Sequence, residues 1–199
     1  MTDSDSMQPI VLDAFERHDA FEKRDPDSRQ ATFEKRDQDI RQDGFDREDG
    51  FTLTTTVFDA AATATADSED DSYRFRIRIE LPTLDAAVAN ETVASVVEED
   101  WQATFERRLA DVFTVADTDT HDELAVGRER SSLIVRLEYT ARSPTSGVGD
   151  AKALVEYVEG TYAQGLIPGY TYRGPAGELR ANAHDRAQSA VERPDDANR

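Results

Sequence analysis

Tyr73-Arg-Phe-Arg-Ile-Arg-Ile-Glu-Leu81 carries an apolar side chain at every odd position and a charged one at every even position. A period of two belongs to the β-strand, whose successive side chains leave opposite faces. The stretch therefore reads as a strand with Tyr73, Phe75, Ile77, Ile79 and Leu81 in a core. Arg74, Arg76, Arg78 and Glu80 face water. Pro82 stops it, because proline cannot donate to a ladder. One wet face and one apolar face are the mark of an antiparallel sheet rather than a parallel one.

Working outward, Phe51-Thr-Leu-Thr-Thr-Thr-Val-Phe58 alternates in the same way, and the acidic run 67–71 makes a solvated connection, so a first hairpin is expected. Ser132–Ala141 repeats the pattern with Leu133, Val135, Leu137 and Tyr139 inward. It reads as the second arm of a hairpin with Glu123–Val126, turning at Gly127. Three helices are expected beside these strands. Residues 9–21 place Val11, Leu12 and Phe15 on one stripe. Residues 92–115 place Val93, Val96, Val97, Trp101, Phe105, Leu109, Val112 and Phe113 at helical spacing, and residues 150–163 bury Ala151, Leu154, Val155, Val158 and Tyr162. The expected fold is α+β, a two-layer sandwich of two antiparallel hairpins with helices on one face, in the order α-β-β-α-β-β-α.

The organisation that follows is a polar tail over 1–8, a helix over 9–21, and a folded domain over 51–175. A polar, Ala-rich segment over 176–199 reads as a marginal helix or a disordered tail. Between helix and domain lie repeats. Phe21-Glu-Lys-Arg-Asp25 returns as Phe33-Glu-Lys-Arg-Asp37 and, degraded, as Phe45-Asp-Arg-Glu-Asp49. A step of twelve turns a helix about 120° past whole turns, so the three Phe do not share a helical face. With few apolar residues to bury, 22–50 reads as a flexible polar insert, against a docking segment offering one Phe per copy.

Charge sets the solvent. Of 42 acidic residues 25 are Asp, and of 23 basic residues only three are Lys (Lys23, Lys35, Lys152), for a net charge of −19. Such self-repulsion destabilises a compact chain unless salt screens it, and at 1 M the Debye length falls to about 3 Å. An Asp-rich, Lys-poor surface thus points to a cytosol at molar salt. The absence of cysteine excludes disulfides and thiolate chemistry. The first residues lack the basic and apolar regions of a signal peptide, and no apolar run is long enough to span a membrane, so a cytoplasmic location is expected.

Phe15-Glu-Arg-His-Asp-Ala-Phe21, Thr52-Leu-Thr-Thr-Thr-Val-Phe-Asp59 and Leu81-Pro-Thr-Leu-Asp-Ala-Ala-Val88 resemble an uncharacterised family of small proteins from extremely halophilic archaea, over roughly residues 10–170. The resemblance implies a salt-adapted host and no activity, so it carries over no functional residue. The repeats look like an insertion relative to that pattern. The element order also resembles type III secretion chaperones, in layout alone.

Few residues suggest chemistry. His18, His121 and His184 lie far apart, and no metal or cofactor is expected. Asp117-Thr-Asp-Thr-His121 starts like a calcium loop but has Asp122 where glycine is required. Gly147-Val-Gly-Asp150 reads as a turn with Asp150 as N-cap, against a weak anion site at a helix start. Arg74, Arg76 and Arg78, extended by Arg136, form a cationic row. It is an anion or nucleic-acid contact on one reading and one side of cross-strand pairs with Glu80 and Glu138 on the other. The net charge favours the pairs and disfavours nucleic acid. Tyr157, Tyr162, Tyr170, Tyr172 and Arg173 are the best candidates for a binding surface, against tyrosines that close the core with wet hydroxyls. Glu98-Glu99-Asp100 reads as the polar face of a helix. A protein-interaction or chaperone-like module, with a protein partner or a second copy, is the leading expectation. A small enzyme or ligand-binding protein with its site between the sheet and the 165–175 loop is the alternative.

Overall fold

The computed structural model describes residues 7–24, 50–67, 70–118 and 120–191, with side chains described as far as residue 183. The fold is α+β. A six-stranded antiparallel sheet is built from β1 (Phe21–Lys23), β2 (Phe51–Leu53), β3 (Asp59–Asp67), β4 (Ser72–Pro82), β5 (Thr120–Glu129) and β6 (Ser132–Ala141). Their order across the sheet is β1-β2-β3-β4-β6-β5. Among the described residues five α-helices accompany it: α1 (Pro9–Glu16), α2 (Leu84–Ala87), α3 (Ser95–Leu109), α4 (Pro144–Gln164) and α5 (Gly174–Val191).

The strand that decided the reading is the centre of the sheet. In β4 the odd residues Phe75, Ile77, Ile79 and Leu81 are buried, and β6 sets Tyr139, Leu137, Val135 and Leu133 directly opposite them. On the other face Arg76 lies opposite Glu138 and Glu80 opposite Ile134.

Several expectations are corrected. The order α-β-β-α-β-β-α gives way to four strands before α2, because Phe21–Lys23 is a strand and Phe51–Phe58 is not one. Only Phe51–Leu53 pairs in it, and the long partner of β4 is Asp-Ala-Ala-Ala-Thr-Ala-Thr-Ala-Asp67, with Ala62 opposite Ile77. Alanine is a poor strand former by propensity, but here Ala60, Ala62 and Ala64 are buried between apolar neighbours, and packing decides. Thr54–Phe58 loops away and is held by Glu159 of α4, which accepts from Thr56 Oγ1 and, at 3.0 Å, from Val57 N.

The second hairpin turns at Arg130-Ser131, where Arg130 has φ 54°, and not at Gly127, which stays in β5 opposite Ile134. The long helix is shorter than 92–115. It ends at Leu109, and a 3₁₀ turn follows over Val112–Val115.

Helix α4 starts six residues before the expected 150. Pro144 opens it and the Ser143 hydroxyl accepts from Ser146 N at 3.3 Å, a normal cap and first turn. Gly147 and Gly149 are thus helical, and Asp150 is no N-cap. Gly147 is there for contact: a Cβ on it would stand 2.2 Å from Phe75 Cε2. The helix lies against β4 and β6, and against α1, whose Phe15 stacks on Phe51 at 4.6 Å.

The helix expected over 9–21 ends at Glu16, and Phe21–Lys23 is a sheet strand. The rest of the repeats, 25–49, lies outside the described residues. The segment after 176 is helical to Val191, with Ala176 and Leu179 buried.

Candidate interaction groove

The tyrosines do not form one surface. Tyr162 is fully buried, its hydroxyl donating to Pro82 O at 3.2 Å and its ring edge-on to Phe58 and Trp101. Burial holds its proton affinity well above that of an exposed phenol. Tyr157 reaches the end of α3, donating to Arg108 O at 3.3 Å. Tyr172 locks its own loop: it accepts from Ile167 N at 2.7 Å and donates to Ile167 O at 3.1 Å. Arg173 donates to Ala86 O at 2.9 Å, and Arg173 N and Ala89 N bond Ala87 O and Thr171 O, tying the loop to α2. Tyr170 packs edge-on to Tyr172, and Arg180 donates to Tyr170 O at 2.7 Å. The loop that follows α4 is a braced structure.

The arginine row is engaged as well. Arg74 meets Glu138 at 2.6 Å, Asp122 at 3.0 Å and Asp67 at 3.5 Å. Arg76 meets Glu138 at 2.9 Å, Arg78 meets Glu80, and Arg136 meets Glu129. Burial works to raise Glu138, but the hydrogen bonds from Arg74 and Arg76 outweigh it and keep the carboxyl below its usual range. For Glu80 burial wins, and its affinity for a proton rises despite Arg78 and Ser132. This is a face of alternating charge, not a cationic strip.

Two buried carboxylates escaped the sequence reading. Glu98 sits with only 4% of its surface exposed, not on a polar helix face. It accepts Leu84 N at 3.1 Å and Asp85 N at 2.7 Å, and Arg128 lies 3.7 Å away. It is the anion at the start of α2, supplied by α3. Asp150 accepts Asp117 N at 2.8 Å, and its other oxygen is buried with no hydrogen-bond partner among the described residues. Burial raises its proton affinity. The calcium-like run at 117–121 is thus tied to a helix through its backbone, and among the described residues no cluster of three or more His, Asp or Glu could hold a metal ion. His121 stacks on Phe113 at 4.3 Å.

A groove of about 300 Å³ lies between α3 and the start of the 165–168 loop. Trp101 and Phe105, stacked at 5.9 Å, form its floor, with Trp101 Nε1 donating to Gly165 O at 2.9 Å. Val97 and Leu166–Pro168 supply apolar walls, and Asp100 and Arg108 stand at its rim. Just beside it Val96 is 68% exposed. Of Val96 and Val97, both expected in the core, neither is fully buried. The phase of α3 is set instead by Glu98, Trp101, Phe105 and Leu109.

A family of unknown function, DUF5813, matches residues 37–182, most of the chain. The chain belongs to DUF5813. No curated protein and no solved structure matches it. The DUF5813 match takes in β2 to the first half of α5 and therefore the whole groove, while α1, β1 and the first repeat precede it. In this DUF5813 chain no helix among the described residues is long and apolar enough to cross a membrane.

Proposed function

We propose that this DUF5813 protein is a non-catalytic protein-interaction module of the chaperone-like kind, and that the groove beside Trp101 is where it holds its partner. The observation that carries the reading is apolar surface gathered at one place: exposed Val96 and half-buried Val97 on α3 beside the Leu166–Pro168 wall, over the largely buried rings of Trp101 and Phe105. From Val97 to Arg108 the groove follows α3 for roughly 16 Å at 1.5 Å per residue, room for a short apolar segment of a partner protein. Rings in a desolvated floor with charges at the rim are the composition of binding hot spots. Against the enzyme alternative, the side chains whose proton affinity is shifted serve the fold. Asp150 and Glu80 are shifted by burial, and Glu138 by its arginines. None of them lines the groove.

The test uses Val97→Asp and Leu166→Asp, both at partly exposed positions. Partners captured from the native host in molar salt are identified, purified and titrated against each variant. The expected result is binding at least tenfold weaker than wild type. Equal affinity in both variants would remove the groove from the interface, and turnover of a small molecule at the groove would support the enzyme alternative.

Two further readings belong with this one. The helices are proposed to form a single layer over the apolar sheet face, since α4 touches β4 and β6 and α1 touches both α4 and β1. The chain is proposed to work in the cytoplasm of a salt-accumulating cell, a reading supported by 25 Asp against three Lys. Its thermal midpoint should rise from dilute buffer to molar KCl as repulsion is screened. A midpoint that falls over that range would overturn the habitat.

A further inference from the structure

The sheet ends differently on its two sides. On one side the outermost strand is β1, three residues long. On the other it is β5, ten residues long, and among the described residues no strand lies beyond it. A long open edge carries a row of free backbone donors and acceptors, and charges and bulges are the usual guards against pairing. β5 has both, a bulge between His121 and Glu123 and charges toward each end. Its middle has neither. Leu124-Ala125-Val126-Gly127 is uncharged and without proline, and no residue of β5 is fully buried. Leu124 and Val126 lie opposite the core residues Leu137 and Val135, yet they are only half-buried where those two are at most 1% exposed. The apolar face of the sheet therefore runs out to this edge and is left part-open there.

We propose that β5 pairs with β5 of a second copy of this chain, antiparallel about a two-fold axis at Ala125, so that two sheets join edge to edge. The order of charge along the strand selects both the occupant and the register. Asp122 and Glu123 precede the uncharged middle, and Arg128 and Arg130 follow it on either side of Glu129. Turned end for end, the strand offers itself an acidic end against a basic one, twice, as a self-complementary contact requires. With the axis at Ala125, Leu124 meets Val126 of the second copy and continues the apolar face, and Glu123 meets Gly127, which has no side chain in its way. Moving the axis to Val126 would set Glu123 against Glu129 in both halves, and like charges directly opposite are destabilising. Moving it to Leu124 would bring Arg128 opposite Thr120 instead of the acidic end. Asp122 and Arg128 already lie 3.0 Å from Arg74 and 3.7 Å from Glu98 of their own chain, so the ends attract as a field more than as new ion pairs. The bulge confines the regular ladder to Glu123–Gly127 of each copy, a small contact suited to a reversible dimer. Two chains at −19 each approach closely only where salt screens them, so molar KCl favours the pair.

The chain has no cysteine, so a single introduced thiol reports only on a second copy. A residue on the axis faces itself within disulfide reach. Glu129 would stand about 27 Å from its counterpart, eight strand residues away at about 3.4 Å each. Under mild oxidation of the full chain in molar KCl, Ala125→Cys should form disulfide-linked dimers at least tenfold faster than Glu129→Cys. By sedimentation equilibrium the wild type should be a dimer at submillimolar concentration and Ala125→Glu a monomer. In that variant two carboxylates oppose each other at the axis, while within each chain the new side chain lies opposite Arg136, so the thermal midpoint should hold. Val97→Asp should leave the cross-linking rate unchanged, which separates this contact from the groove beside Trp101. A monomeric wild type overturns the proposal, as does a dimer in which Ala125→Cys links no faster than Glu129→Cys. If Ala125→Glu fails to fold, the two thiol variants decide.

Discussion

The two flanks of the sheet are built on opposite plans. From β4 through β6 to β5 the strands are 11, 10 and 10 residues long, and β4 and β6 fill their own core face with Phe, Ile, Leu, Val and Tyr. From β3 through β2 to β1 they are 9, 3 and 3 residues long, and β3 offers the core only alanines. On that side the bulk comes from elsewhere: Phe15 from α1 stacks on Phe51, and Phe58 from a loop meets Tyr162 from α4. A strand with large alternating residues specifies its own place. A strand of alanines is specified by whatever comes to cover it.

The contrast can be broken at its junction. Phe75 lies under α4, stacked on Tyr139 at 5.2 Å and tilted toward Phe15 at 6.1 Å, so it touches both flanks. Phe75→Ala should cost about 3–5 kcal/mol, read as a fall in the urea midpoint with unchanged slope. If the flanks were independent units, the variant would instead show two transitions.

Next in size is Glu98. Replacing it by Ala leaves Leu84 N and Asp85 N without their acceptor and removes the carboxylate 3.7 Å from Arg128. A buried donor left unsatisfied costs about 1–3 kcal/mol, and the loss should appear in denaturant unfolding together with faster amide exchange at residues 84 and 85. Gly147→Ala is smaller because two effects oppose. The added Cβ would meet the Phe75 ring at 2.2 Å, an overpacking worth about 1–3 kcal/mol, while alanine in a helix interior returns up to about 1 kcal/mol. The clash is with that ring, so Gly147→Ala should cost much less in a Phe75→Leu background, and a double-mutant cycle measures the coupling. Additive losses would mean that the ring moves aside.

These residues also show what was legible. The strands β4 and β6, their polar face and its cross-strand pairs with Glu138 follow from alternation alone, because a one-residue error would invert every side chain. Glu80, by contrast, lies opposite Ile134 and meets Arg78 of its own strand instead. β3 was hidden because Ala-Ala-Ala-Thr-Ala-Thr-Ala66 has no apolar contrast from one residue to the next, and the threonines before it offered a better pattern in the wrong place. The start of α4 was hidden by glycines that read as a turn, where the Phe75 ring requires the absence of a side chain. Glu98 was hidden because nothing local distinguishes a carboxylate that caps a neighbouring element from one that faces water. The candidate groove was half visible. Trp101 and Phe105 were placed inside correctly, but the exposure of Val96 depends on a helix phase that a buried Glu98 decides.

The smallest expected effect separates the two sheet faces by the sign of a pH slope. Glu138 on the outer face binds its proton less tightly than an unfolded glutamate, whose pKa is about 4.3. Its contribution to stability is therefore present above that value and lost as the pH falls through its lower folded value. Asp150 under the 3₁₀ turn binds its proton more tightly than an unfolded aspartate, with a pKa of about 3.9. Its contribution is present below that value and lost as the pH rises through its higher folded value. Glu138→Gln should thus flatten the acid limb of stability against pH, and Asp150→Asn should flatten the decline just above pH about 4. The Glu138 effect should stay under about 1 kcal/mol, since Arg74 and Arg76 remain partly in water. Urea unfolding at fixed KCl across the acid range reads both. A Glu138→Gln variant whose acid limb matched the wild type would mean that the outer-face ladder, for all its short distances, is already dissolved into solvent.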